Sequence, residues 1–209
     1  MSEAGLEIEI KLRVADEPAA RRLLRRLRAR SLGRIHEQNT LFDTAENVLG
    51  RSGRILRVRH VQKMGQESSL RNGSRPRRKL SPPTGVLTFK APVEGGRYKA
   101  REEIEVSIDP PERAEHILGR LGYRPWFRYE KFRTTFRLPG LPRLSVELDE
   151  TPVGVFFELE GPRDSIDRAA RRLGYQPSDY LNVSYYELFL EQRERLGLPP
   201  DAMVFPSKE

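Results

Sequence analysis

Apolar and polar residues alternate along much of the chain, and this pattern predicts a protein built mainly of β-strands. Successive side chains of a half-buried strand point to opposite faces, so every second residue is apolar. The stretch 6–12, Leu-Glu-Ile-Glu-Ile-Lys-Leu, follows this period without interruption. The same period predicts a weaker strand at 38–43 and further strands at 55–61, 86–90, 101–108, 129–137, 144–149 and 156–160.

Four segments between these strands carry the signals of helices, namely a capping residue or proline before an apolar stripe and a glycine after it. The predicted helices begin after Asp16, then run from 109 to 119 or 122, from 165 to 174 and, with Ser178 as the N-cap, from 180 to 196. Helices in this number can cover the apolar faces of the strands.

The stretch 62–85 fits neither period and is predicted to be a long flexible loop between two strands. It is rich in Ser, Gly and Pro, and it holds six basic residues against one acidic residue. Without a Pro/Gly linker that divides the chain, residues 1–209 are interpreted as one domain with a core at 6–190. The C-terminal helix and tail are expected at 178–209.

The polar faces of the strands carry charges of chosen sign, which is unusual for a face that merely contacts water. Glu7, Glu9 and Lys11 lie two residues apart and so share one face of the first strand. The same spacing groups Arg57 with Arg59, Lys131 with Arg133, Arg101 with Glu103 and Glu105, Glu147 with Asp149, and Glu158 with Glu160, while Lys90 lies on the polar side of its strand.

If helices cover the apolar faces, these charged faces point away from the helices. Eight antiparallel strands favour closure, because a closed barrel has no exposed edge. The predicted fold class is therefore α+β, a closed eight-stranded antiparallel β-barrel with helices packed on the outside and charges lining the inside. The alternative is an open sheet whose charged face is solvated and carries cross-strand ion pairs.

Charges buried at this density need partners. Carboxylates suit a hard divalent cation, whereas lysine and arginine suit a polyphosphate. The alternation alone thus predicts a polar tunnel for a metal and a phosphorylated ligand, and it names no reaction.

Composition narrows the remaining classes of function. The 209 residues include 38 Lys and Arg against 30 Asp and Glu, a net charge of +8 that suggests nucleic acid as a partner. The 62–85 loop accounts for most of this excess, so nucleic acid is not favoured. The chain has no cysteine, which excludes disulfides, thiolate metal sites and a cysteine nucleophile. No apolar run is long enough for a membrane span and no signal region is evident, so a cytoplasmic protein without membrane contact is expected.

The segment Glu7-Ile8-Glu9-Ile10-Lys11 resembles the ExExK signature of the CYTH superfamily, also called triphosphate tunnel metalloenzymes. The later charged strands follow the strand order of that family, and 184–188 is similar to its C-terminal helix. The resemblance covers about 6–190. It implies a closed tunnel that binds a triphosphate with Mg²⁺ or Mn²⁺, as in thiamine triphosphatases, inorganic triphosphatases, RNA triphosphatases and class IV adenylate cyclases.

The resemblance also implies roles for residues at matching positions of this chain. The implied metal ligands are Glu7, Glu9, Glu158 and Glu160, and candidates for a second metal are Glu103, Glu105, Glu147 and Asp149. The implied triphosphate ligands are Lys11, Arg57, Arg59, Lys90, Lys131 and Arg133. The implied catalytic set is Glu7, Glu9 and Lys90.

Three functions stay open at this point. The favoured one is metal-dependent hydrolysis of a nucleoside, thiamine or inorganic triphosphate. The second is a class IV adenylate cyclase that makes cyclic AMP and pyrophosphate from ATP, and its relatives suggest a homodimer. The third is a non-catalytic binder of polyphosphate or nucleic acid. Trp126, Phe127 and Tyr129 could stack a base, but packing is the favoured interpretation for aromatic residues before a strand.

Overall fold

The computed structural model describes residues 5–64, 84–93 and 97–206. The strands of this part are β1 Gly5–Val14, β2 Arg30–Asp43, β3 Ile55–Met64, β4 Thr84–Pro92, β5 Lys99–Ile108, β6 Arg124–Arg137, β7 Ser145–Thr151, β8 Gly154–Glu160 and β9 Ala202–Met203. The α-helices are α1 Glu17–Arg26, α2 Val48–Arg51, α3 Pro111–Arg120, α4 Arg163–Leu173 and α5 Tyr185–Leu196.

The eight long strands close into an antiparallel barrel. Their order is β2-β3-β4-β5-β1-β8-β7-β6, and β6 pairs back onto β2 to complete the ring. The predicted eight-stranded barrel is confirmed. The short β9 adds to β6 in parallel, and it was not predicted because two residues cannot show a period.

Three hydrophobic cores hold the barrel and its helices together, and the smallest packs Leu118 of α3 on Phe42 of β2 and Val58 of β3. On the outer wall, α1 and α4 pack on β1, β7 and β8, with Leu12, Leu148 and Ile166 fully buried. A second core lies across one end of the barrel, where Leu188 and Phe189 of α5 contact inward-facing apolar side chains of β2, β6 and β8. Helices therefore cover the outside while α5 closes one end.

The last helix begins later than the sequence pattern indicates. It starts at Tyr185 rather than Tyr180, and its N-cap is Ser184 rather than Ser178. The Glu187 backbone N–H donates to the Ser184 hydroxyl (3.2 Å), and the Glu187 carboxylate accepts from the Ser184 backbone N–H (2.6 Å), which forms a capping box. The segment before it cannot be helical, because the backbone of Leu181 pairs with that of Lys11.

Several strand boundaries also differ from the prediction, since β2 begins at Arg30 rather than at 38 and β6 at Arg124 rather than at 129. Strand β3 extends to Met64 and β4 begins at Thr84, so the predicted loop at 62–85 is too wide at both ends. Residues 65–83 lie outside the described part of the chain, and with them most of the basic segment on which the nucleic-acid hypothesis depends. The short helix α2 was not predicted, since four residues carry too little helical period.

Replacing Ser184 with alanine should lower the free energy of unfolding by about 1 kcal/mol, because the first turn of α5 loses its cap. Chemical denaturation measures this change. Ser178→Ala is the matched control at the position that the sequence pattern favours, and it should change stability by less than about 0.5 kcal/mol. Equal losses for the two variants would contradict the assignment of the cap to Ser184.

Candidate functional site

The barrel encloses a cavity of about 540 Å³ whose lining is densely charged. Among the described residues, nine lysines and arginines and seven glutamates line it. Most of the residues expected inside the barrel are there, namely Glu7, Glu9, Lys11, Arg57, Arg59, Lys90, Glu103, Glu105, Lys131, Arg133, Glu158 and Glu160. The predicted charged interior therefore exists, and its acids and bases are interleaved.

Three carboxylates adjoin on neighbouring strands at one edge of this cavity. Glu9 of β1 lies directly opposite Glu160 of β8 in the pairing register, and Glu7 lies two residues along the same face. Partial burial, together with the negative charges of Glu7 and Glu9, raises the pKa of Glu160 to about 7. In the described part of the chain, no cation lies within ion-pair distance of Glu160, so repulsion between these carboxylates is only partly compensated.

Lysines from neighbouring strands neutralise the other two carboxylates of this group. The Lys11 Nζ lies 3.1 Å from Glu9 and 3.0 Å from Glu158, and the Lys99 Nζ lies 3.1 Å from Glu9. Although burial alone would raise the pKa of Glu9, these ammonium groups hold it well below its usual range. Burial has the larger effect on Lys99 and lowers its pKa to about 8.

Lys90 connects two carboxylates across β1, β4 and β5. Its Nζ lies 2.5 Å from Glu7 and 3.0 Å from Glu103. The two glutamates and Lys90 thus form one contiguous ion-pair group on the wall formed by these strands. This arrangement brings together the three residues proposed as catalytic, since Glu9 neighbours Glu7 on β1.

A second ion-pair group lies deeper, around Asp149. This carboxylate is fully buried and accepts hydrogen bonds from Lys131 (2.8 Å), from Nε and Nη2 of Arg133 (2.7 and 2.6 Å) and from the Tyr185 hydroxyl (2.7 Å). Arg133 also pairs with Glu158. Four donors saturate a carboxylate, so Asp149 holds the cations in position.

The four candidates for a second metal site do not form one cluster. Glu103 and Glu105 lie on β5 near Lys90 and Arg57, whereas Glu147 and Asp149 lie on β7 and are not among the residues that line the cavity. The Glu147 carboxylate accepts hydrogen bonds from the hydroxyls of Thr135 and Ser145. Across residues 5–64, 84–93 and 97–206, no three His, Cys, Asp or Glu side chains are gathered to hold a metal in the present arrangement.

Arg57 is held in place by side chains of three other strands. Its Nη1 donates to the Tyr129 hydroxyl (3.2 Å), and its Nη2 donates to Thr88 (3.1 Å) and Glu105 (3.3 Å). Its buried Nε has no hydrogen-bond partner in the described structure. A guanidinium that lines the cavity and is fixed in this way is suited to bind an anion.

Sequence reasoning missed Glu37, which is fully buried near the arginines and lysines of the cavity. Its carboxylate lies 3.5 Å from Arg59 and 3.7 Å from Lys131, and neither oxygen has a hydrogen-bond partner in the described structure. These cations keep its pKa below the usual range despite burial. The predicted strand at 38–43 began one residue too late to include Glu37. The predicted strand at 101–108 began two residues too late to include Lys99, which also lines the cavity.

Among the described residues, no helix is long and apolar enough to cross a membrane.

The sequence and the fold were compared with those of known proteins. A profile of the CYTH domain family matches residues 5–185. A candidate adenylate cyclase of Methanocaldococcus jannaschii is 23% identical over 155 residues, which cover 74% of this chain and 76% of that protein.

Solved structures also resemble the barrel. A candidate adenylate cyclase of Vibrio parahaemolyticus superimposes with a TM-score of 0.69 at 18% identity, covering 90% of this chain and 99% of that one. A Pyrococcus horikoshii protein gives a TM-score of 0.68 at 23% identity with the same coverage. A Hippeastrum protein, described as a candidate adenylyl cyclase with a dominant triphosphatase activity, gives 0.60 at 20% identity, covering 88% of this chain and 95% of that one.

At these identities the solved structures establish the fold alone, whereas the family profile spans most of the sequence. The match over residues 5–185, on a closed barrel with a charged interior, shows that the chain belongs to the CYTH domain family.

Proposed function

We propose that this chain hydrolyses a triphosphate inside the barrel with the help of a divalent cation, Mg²⁺ or Mn²⁺. The observation that carries the proposal is the cavity itself, in which fixed lysines and arginines face an edge of adjoining carboxylates. A triphosphate needs many cationic donors, and its hydrolysis needs its developing charge to be neutralised and a water molecule to be positioned.

The carboxylate edge formed by Glu7, Glu9 and Glu160 fits such a cation. Carboxylate oxygens are the ligands preferred by Mg²⁺ and Mn²⁺, and the raised pKa of Glu160 reflects negative charge that a cation would relieve. When bound, the cation would polarise phosphoryl oxygens and lower the pKa of a coordinated water molecule. We therefore assign the metal to this edge rather than to Glu158, whose carboxylate pairs not only with Lys11 but also with Arg133, a side chain that Asp149 holds in place.

The lysines that now neutralise the carboxylates are suited to exchange partners. Lys11, Lys90 and Lys99 each contact Glu7 or Glu9. A triphosphate offers them phosphate oxygens, and their transfer to the substrate frees the carboxylates for the cation. Binding of the metal and binding of the substrate would then be coupled. The substrate takes the lysines from the carboxylates, and the metal neutralises the carboxylates that the lysines leave.

The deeper cations are suited to fix the phosphate chain. Arg57 and Arg59 line the cavity, and Lys131 and Arg133 are oriented by Asp149. Because these side chains are already held by the barrel, little reorganisation is needed when charge develops on the leaving diphosphate. The closed barrel wall and α5 limit access of bulk water to this region.

Cyclisation of ATP is the second candidate, supported by the name of the Methanocaldococcus jannaschii relative. The dominant triphosphatase activity stated for the Hippeastrum protein supports hydrolysis instead. Both reactions use a metal and a cationic phosphate site, so product identity must separate them.

To test the proposal, the protein is incubated with inorganic triphosphate or ATP in the presence of Mg²⁺ or Mn²⁺, and excess EDTA is then added. We expect metal-dependent release of phosphate from both, with turnover lost on chelation. Formation of pyrophosphate together with cyclic AMP would show that the protein is a cyclase rather than a hydrolase. Turnover that is unaffected by EDTA would contradict the proposed use of a metal.

The predicted homodimer is a separate proposal, and light scattering of the purified protein tests it.

A further inference from the structure

Trp126 lies at an irregular point of β6. Leu41 of β2 pairs with Phe127, and the next residue, Phe42, pairs with Pro125, so Trp126 is one extra residue in β6. Such a β-bulge redirects a side chain, and bulges are common at barrel rims and next to active sites. Here Trp126 and Phe127 both line the cavity, although successive residues of a regular strand face opposite sides.

The redirected indole is part of an aromatic surface on the cavity wall. The ring of Tyr186, from the first turn of α5, meets Trp126 edge-on with the centroids 4.8 Å apart. The same tyrosine meets Phe127 with the centroids 4.9 Å apart. We call these three residues the aromatic patch, in which Phe127 is buried and Trp126 and Tyr186 are partly exposed. Trp126 and Tyr186 also line the cavity, so their rings are the part of the patch that can meet a ligand.

The aromatic patch continues directly into the cationic part of the cavity. The rings of Phe127 and Tyr129 are stacked with their centroids 5.8 Å apart, and the Tyr129 hydroxyl accepts a hydrogen bond from Arg57. Gly50 and Gly53, in the turn around α2, also line the cavity. One continuous wall therefore presents aromatic rings at one end and guanidinium groups at the other.

We propose that the aromatic patch stacks on the planar base of a nucleoside triphosphate whose phosphates lie on the cations of the same cavity. The inference rests on the proposed function and adds the substrate class. An inorganic triphosphate gains nothing from an apolar surface, whereas a flat base gains stacking and removes that surface from water. A cavity of about 540 Å³ is also in the size range of sites for organic ligands.

Kinetic comparison of two substrates tests this specificity. For Trp126→Ala, we expect the ratio of kcat/KM for ATP to that for inorganic triphosphate to fall about tenfold or more, since stacking on one ring contributes about that factor. Trp126→Phe keeps a ring and should retain most of the ratio. An equal loss for both substrates, or no loss for either, would overturn the proposal.

Trp126 is the single tryptophan of the chain, so its fluorescence reports on the patch directly. With Mg²⁺ present and the emission read immediately after mixing, before appreciable turnover, ATP should quench the wild-type protein saturably, whereas inorganic triphosphate at the same concentration should not. Identical responses to the two anions would overturn the aromatic subsite.

Failure of this inference differs from failure of the proposed function. Suppose that inorganic triphosphate is hydrolysed with metal, while ATP is neither preferred nor quenches Trp126. The proposed hydrolysis would then stand, and the aromatic subsite would be contradicted. Saturable quenching by ATP with no turnover of either substrate would leave the subsite and remove the hydrolase.

Discussion

Replacing Glu160 with glutamine should have opposite effects on activity and on stability. We expect metal-dependent hydrolysis to fall by about 100-fold or more, because the cation loses a charged ligand. The metal-free protein should become more stable above pH 7, because Glu160 is ionised there beside Glu7 and Glu9 and has a pKa raised to about 7. The neutral amide of the glutamine removes the repulsion between residue 160 and the carboxylates of Glu7 and Glu9.

The sign of the stability change follows from proton linkage. A carboxyl whose pKa is higher in the folded state than in the unfolded state binds protons more tightly when folded, so its ionisation opposes folding. The destabilisation develops between the ordinary glutamate pKa and about 7, and it is complete above that. Wild type and Glu160→Gln should therefore converge in stability near pH 4 and separate as the pH rises.

Initial rates at saturating metal and thermal unfolding in EDTA measure the two effects. Glu102→Gln is a suitable control, because Glu102 is a strand glutamate on the outward face of β5 and does not line the cavity. It should change neither quantity appreciably. Full activity in Glu160→Gln would contradict the metal assignment, whereas a loss of stability would show that its charge supports the fold.

The barrel was predictable because period 2 is a local property of each strand. Residues such as Ile8 and Ile10 had to be buried, so Glu7, Glu9 and Lys11 had to lie on the opposite face. Once closure was inferred, that face could only be the interior. Which acid would pair with which base depended on the strand register, and this is fixed by the packing of the whole barrel.

Local irregularities were not predictable from the period. Trp126 was interpreted as a packing residue and does pack against the core beneath α5, but nothing in the alternation indicates the extra residue that also brings it to the cavity wall. Glu37 lies one residue outside the strand indicated by its neighbours. Ser184 forms the capping box with Glu187, a signal present in the sequence that the assignment of the cap to Ser178 overlooked.

The role of Asp149 also depended on tertiary structure. Its type and spacing matched those of a metal ligand, yet four donors from β6 and α5 occupy its oxygens. A charged residue inside a tunnel can serve the ligand directly or hold the residues that do so. Only the hydrogen-bond partners distinguish these two uses.

Asp149→Asn should therefore lower the free energy of unfolding by about 3–5 kcal/mol, the range measured when one partner of a buried ion pair is removed. The amide presents an NH₂ group where Lys131 and Arg133 need an acceptor, so two buried cations lose part of their compensation. Denaturant unfolding followed by both fluorescence and circular dichroism gives the midpoint and checks that the transition is two-state.

Glu147→Gln is the matched control for this prediction, on the same strand and the same face. Its carboxylate accepts from the neutral hydroxyls of Thr135 and Ser145, and an amide oxygen can still accept from one of them, so the loss should be about 1 kcal/mol. If Asp149 bound a second metal instead, removing that metal with EDTA would lower the free energy of unfolding of the wild type towards that of Asp149→Asn. We expect EDTA to leave the difference between the two proteins unchanged, because the partners of Asp149 are the protein's own cations.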